Sequence, residues 1–134
     1  MLLLLAANAF ALQSRAVTLE GQPVTVSVSI PSLTAKSQPV LKLEGVQTSP
    51  GQGAIIRVFV GLPEAGPATS VDNEHFAGYV TLLAHSAGKG NSGNMTLNLP
   101  PPIERNLRAR RAVDITLVPM SKGPVRIEKI LIAP

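Results

Sequence analysis

His75 and His85 are the two imidazoles of the chain. They bracket an eleven-residue run, His75-Phe76-Ala77-Gly78-Tyr79-Val80-Thr81-Leu82-Leu83-Ala84-His85. An extended stretch of that length spans about 33 Å, so the pair cannot chelate one ion without a sharp bend. They read as strand-end histidines, and no metal site is assigned to them. Asp72, Glu74, Glu64 and Asp114 supply carboxylates, but nothing in their spacing demands a pair, and they read as solvated loop acids. No Ser-His-Asp set emerges. Gly88-Lys89-Gly90-Asn91-Ser92-Gly93 lacks the spacing and the following helix of a phosphate-binding loop. Cys is absent, which removes disulfides and thiolate ligands. No catalytic residue is therefore assigned.

The remaining chemistry is cationic. The net charge is +4, and Arg105, Arg108, Arg110 and Arg111 concentrate it. Arg105, Arg108 and Arg111 stand at i, i+3 spacing and would share one face of a helix. One reading is a site for phosphate, nucleic acid or an acidic surface. No aromatic residues are interleaved for base stacking, and the overall charge is modest. The preferred reading is an interface cluster, Arg105, Arg108 and Arg111, on a solvated turn facing acids of a neighbouring domain, with no nucleic acid partner.

These residues need a scaffold, and the pattern of the chain describes one. With 134 residues there is room for one domain. Apolar residues make up 45% and aromatics 3%, so a core has to be built from Val, Ile, Leu and Ala. Val24, Val26, Val28 and Ile30 alternate with Thr25, Ser27 and Ser29, an antiparallel strand with one wet face. Residues 39–46, 54–62, 95–99, 113–118 and 125–132 read as further strands, the last with a possible register change at Lys129–Leu131. The His75–His85 run has apolar groups for both faces and reads as a central strand, with Gly78 marking a bulge or a close approach. Residues 63–73 form a long surface loop, and 86–94 a mobile tip that contains the glycosylation pattern Asn94-Met95-Thr96. Pro100-Pro101-Pro102 reads as a stiff polyproline corner, followed by a short helical turn near 103–111. The expected fold is all-β: a small antiparallel sandwich or jelly-roll-like barrel of about seven or eight strands.

Residues 1–16 form an apolar leader ahead of a single domain at 17–134. Ala9-Phe10-Ala11 has the small-x-small form of a signal-peptidase site, although no Lys or Arg precedes the leucines. The run is too short for a membrane span of roughly 20 residues, so stable membrane insertion is not expected. A signal peptide and a linker remnant of a preceding domain both remain open. The first implies an exported, secreted or periplasmic protein.

The His75–His85 run resembles the Glu-Phe-Ala-Gly-Ser-Phe-x-x-x-Pro-His strand in the C-terminal domain of plant-type polyphenol oxidases, the tyrosinases and catechol oxidases. Ile56-Arg57-Val58-Phe59-Val60 sits where that family has its Lys-Phe-Asp-Val strand. Thr116-Leu117-Val118-Pro119 is similar to a family Thr-Leu-Val-Pro. Lys122-Gly123-Pro124-Val125-Arg126-Ile127, followed by Ile130-Leu131-Ile132, is similar to its ending. The resemblance runs from about Pro23 to Pro134. Two departures stand out: Ile55, Ile56 and Arg57 replace the first three residues of Lys-Phe-Asp-Val, and Ala84 replaces the Pro before the last His. A family salt bridge is therefore not expected here, while the strand order is.

The resemblance implies a β-sandwich that covers the entrance to a dicopper centre and keeps the oxidase latent. The family's centre holds two copper ions, each with three imidazoles. A chain with two His cannot build it. The expectation is thus a non-catalytic domain with no cofactor of its own, whose partner is the dicopper catalytic domain. An apolar side chain would plug the substrate funnel. Phe76, Phe59 and Tyr79 are the candidates. Phe76 is preferred because it opens the strand beside a long loop, and the competing reading of that ring is core. The alternative function is a free-standing exported β-sandwich that acts as a binding module.

Overall fold

Alternating apolar residues and frequent turn residues produce a chain made almost entirely of strands. The computed structural model describes residues 16–83 and 92–134. Among them, nine strands and one helix follow in order: β1 (Val17–Leu19), β2 (Val24–Ser29), β3 (Val40–Thr48), β4 (Ala54–Val60), β5 (Phe76–Leu82), β6 (Ser92–Asn98), α1 (Pro101–Leu107), β7 (Ala112–Pro119), β8 (Val125–Ile127) and β9 (Lys129–Ala133). Every strand pair is antiparallel. One sheet joins β1, β8, β3 and β6, with β9 also on β3; the other runs β2-β7-β4-β5. The two sheets enclose a common core that includes Leu41, Leu43, Ile130, Ile56, Ile115 and Leu117. The all-β sandwich expected from the sequence is what forms.

The main core contains only Val, Leu, Ile and Ala, as an aromatic-poor composition requires. β2 turns Val28 fully inward and exposes Thr25, Ser27 and Ser29. The strand count exceeds the expectation for two reasons. Val17–Leu19 forms a short edge on β8, and the last strand is broken at Glu128. There the Glu128 amide donates to the Glu44 carbonyl at 3.0 Å, and the partner strand shifts register between Leu43 and Val46. The kink needs Gly45: its φ is +64°, and a Cβ would lie 2.7 Å from Glu128 Cγ.

Three other expectations are corrected. The run expected as a central strand forms β5, which among the described residues lies at the edge of its sheet and pairs with β4 alone. A period of two reports which faces are covered, not how many neighbours a strand has. The three prolines do not form a corner before the helix: Pro101 and Pro102 are its first residues. They lack N–H groups where a helix has no partner to give them. The expected loop 86–94 is a strand from Ser92 onward, with Ser92 opposite Gln47 and Gly93 opposite Val46. The remainder of that loop, and the apolar leader up to residue 15, lie outside the described residues.

The bulge expected at Gly78 is present. Val58 pairs with Gly78 and Phe59 with Phe76, so Ala77 is the extra residue. Gly78 has φ +140°, and a Cβ there would lie 2.9 Å from Leu97 Cδ1 on the other sheet. Both the backbone angle and the contact favour glycine. Gly78→Ala is expected to destabilise the domain by about 1–3 kcal/mol in urea unfolding. Adding Leu97→Ala relieves the contact but not the angle, so the double variant should lose less than the sum of the two single losses.

Candidate functional site

The outer face of the β2-β7-β4-β5 sheet carries every aromatic ring among the described residues. On β4, Ile56, Val58 and Val60 point into the core, which sends Ile55, Arg57 and Phe59 outward. The bulge resets β5 so that Val80 and Leu82 are buried and Tyr79 and Thr81 face out. β7 adds Thr116 and Val118 to the same face. One half of this face is roofed by residues 61–75, a chain of turns closed by backbone hydrogen bonds from Ala65 to Leu62, Thr69 to Gly66 and Asn73 to Ser70. Thr116 fastens the roof: its hydroxyl donates to the Leu62 carbonyl at 3.1 Å and shares a 2.8 Å hydrogen bond with Thr25. Beneath it Phe59, Ala65 and Val118 form a second small core, with Leu62 and Phe76 packed against them.

The three plug candidates are brought together, in graded exposure. Phe59 is 0% exposed. Phe76 is half-buried, with its ring centroid 5.4 Å from that of Phe59. Tyr79 stands edge-on to Phe76 at 5.3 Å and is 49% exposed. Such tilted contacts suit the ring quadrupoles and hold each ring in place. Phe59 is therefore a support rather than a presented group, and Tyr79 is the most available ring. The same face carries further exposed apolar side chains: Ile55 is 43% exposed, Met120 44%, and Leu83, just beyond β5, 72%.

Arg57 lies directly between Tyr79 on β5 and Val118 on β7. Its Cζ is 5.9 Å from the Tyr79 ring centroid. Its Nε is buried and has no hydrogen-bond partner. An unsatisfied buried donor costs about 1–3 kcal/mol, and more when charged. In the sequence Arg57 stands out only as a departure from a motif. Its environment depends on pairing with strands 22 and 61 positions away.

The arginine cluster resolves into different roles. α1 stops at Leu107 and Arg108 caps it, so Arg111 lies beyond the helix and shares no helical face with Arg105 and Arg108. Arg108 is used internally. It donates to the carbonyls of Thr34 at 2.6 Å and Ser37 at 2.7 Å, and to Glu104 Oε1 at 2.7 Å. It thereby ties α1 to the loop between β2 and β3. Arg105, Arg110 and Arg111 are exposed.

His75 closes the roof loop. Its ring Nδ1 lies 2.8 Å from the Val60 carbonyl, which can only accept, so Nδ1 carries the proton. Its own carbonyl accepts from the Val60 amide at 2.8 Å. Beneath it a recess of about 20 Å³, walled by Val60, Ile103, Leu107 and Val113, has room for little more than one water. His85 lies outside the described residues. Glu64, Asp72 and Glu74 sit on the roof loop, and Asp114 on β7. Among the described residues, no group of three or more His, Asp or Glu is placed to hold a metal ion, and no helix is long and apolar enough to cross a membrane.

The class that this architecture defines is a small two-sheet β-sandwich. Within it, residues 11–134 match the model of the chloroplastic polyphenol oxidase C-terminal domain, and the chain belongs to that family. The structure of latent apple tyrosinase is similar, with a TM-score of 0.70 and 25% identity over 88% of this chain and 27% of that one. A recombinantly expressed latent aurone synthase, also a polyphenol oxidase, is similar in fold, with a TM-score of 0.69 and 19% identity over 90% of this chain and 25% of that one. The chain thus spans about a quarter of the length of these structures. No curated protein matches it.

Stability and presentation should separate on this face. Phe59→Ala is expected to cost about 3–5 kcal/mol in denaturant unfolding, since it empties the second core. Tyr79→Ala should cost under about 1 kcal/mol, as befits a half-exposed ring.

Proposed function

We propose that this domain covers the dicopper site of a polyphenol oxidase catalytic domain and holds the enzyme latent, docking through the outer face of the β2-β7-β4-β5 sheet. The observation that carries the proposal is the arrangement of Tyr79: a half-exposed ring, braced by Phe76, on a sheet face that also exposes Ile55, Leu83 and Met120. Isolated apolar residues are ordinary on a protein surface, but several on one face together with a braced aromatic ring suit an interaction site. Family membership and the similarity to latent enzymes support the partner.

In this reading the sandwich acts as a rigid stopper. Tyr79 matches the aromatic shape of a phenolic substrate and occupies the mouth of its funnel, with Phe76 behind it. Neither ring does chemistry. Copper and its oxygen chemistry belong to the catalytic domain, because two histidines cannot supply a dicopper ligand set. Removing or displacing this domain opens the funnel. Arg105 in α1 and Arg110 and Arg111 just after it are exposed and would add long-range attraction to an acidic partner surface.

Adding the chain to a copper-loaded plant polyphenol oxidase catalytic domain should suppress diphenol oxidation and give a complex on gel filtration. Tyr79→Ala should raise the concentration needed for half-inhibition on the order of tenfold. Full activity with no complex would reject the role. Export is proposed with it, on the apolar residues 1–12. The mature protein, analysed by mass spectrometry, should then begin after Ala11; an intact Met1 would reject export through that signal.

A further inference from the structure

We infer that Arg57 is the polar anchor of the docking face and takes a carboxylate from the catalytic domain. The inference rests on the docking reading above and deepens it by naming the chemistry of the contact. The main observation is a buried donor left without a partner. Arg57 is half-buried, but its Nε is out of contact with solvent and has no acceptor, and among the described residues no side-chain ion pair or hydrogen bond engages the guanidinium. Its Cζ lies over the Tyr79 ring, at 5.9 Å from the centroid.

Native structures rarely leave such a donor unanswered. Nor can this face answer it. The outward positions of β4, β5 and β7 hold one acid, Asp114, which is four residues along β7 from Val118, the residue opposite Arg57. That separation is about 13 Å. The setting instead favours an incoming group. Arg57 stands between Tyr79 on one neighbouring strand and Val118 on the other. Ile55, two residues along the same strand, extends the apolar surface.

A planar fork of donors matches a carboxylate in two parallel hydrogen bonds. An arginine beside an exposed tyrosine, on a face that also exposes apolar side chains, has the composition of an interface hot spot. The occupant is the catalytic domain rather than a second copy of this chain. The matched latent enzymes are between three and four times as long as this chain, which leaves a large body for the face to meet. A second copy would bring together two domains that each carry +4, and its matching face offers no carboxylate beside Arg57.

The test uses the full chain and two variants, Arg57→Gln and Arg57→Lys, titrated into a copper-loaded polyphenol oxidase catalytic domain at low and high salt. Thermal unfolding of each free chain is measured alongside. An anchor predicts binding weakened on the order of tenfold or more in Arg57→Gln. It also predicts only partial rescue by Lys, a smaller salt dependence in the variant, and an unfolding temperature that is unchanged or raised. If the three chains bind alike, or if Arg57→Gln lowers the unfolding temperature and binding in parallel, the anchor is overturned and the docking role stands. If the wild-type chain does not bind at all, the docking role fails and the anchor with it.

Discussion

The β2-β7-β4-β5 sheet has to hide apolar residues on both of its faces, and much of the structure follows from that constraint. The inner face is covered by the other sheet, over a core of aliphatic side chains. The outer face carries Phe59 and Val118, both at 0% exposure, and no third sheet exists among the described residues to cover them. Residues 61–75 do so instead. A loop of this length without a strand or helix of its own is unusual. Here its turns are closed on themselves, and its ends are tied to the sheet by Thr116 and His75. The hydrogen bonds that the chain cannot make as a ladder it makes as turns.

The roof stops short of the sheet edge. Where it ends, the face passes from closed core to open surface within three rings: Phe59, Phe76 and Tyr79. Exposure rises along that series while the rings stay in contact. Energetics and presentation are therefore linked. The buried ring fixes the half-buried one, which fixes the exposed one. Little conformational entropy remains in Tyr79 to be lost when a partner covers it.

The parts of this arrangement that were legible in the sequence are those encoded locally. The wet face of β2 is written in Thr25, Ser27 and Ser29. The bulge is written in Gly78, since a mid-strand glycine without a packing role is rare. The aliphatic core follows from composition. What could not be read depends on partners distant in the chain. The edge position of β5 follows from pairing with β4 alone. The burial of Phe59 is decided by a loop that sequence alone would place anywhere on the surface. Arg108 looks like a free cation until the carbonyls of Thr34 and Ser37 are brought to it across 74 and 71 positions. The prolines before α1 are ambiguous in principle, because the same residue that ends a strand can open a helix.

One feature of composition takes on a practical meaning once the rings are located. The chain has a single Tyr and no Trp. Its intrinsic ultraviolet emission is thus that of one phenol, Tyr79, half-exposed beside Arg57 on the open part of the sheet. The fluorophore sits on the face proposed to dock, so occupation of that face would be optically visible in the native protein, with no label added.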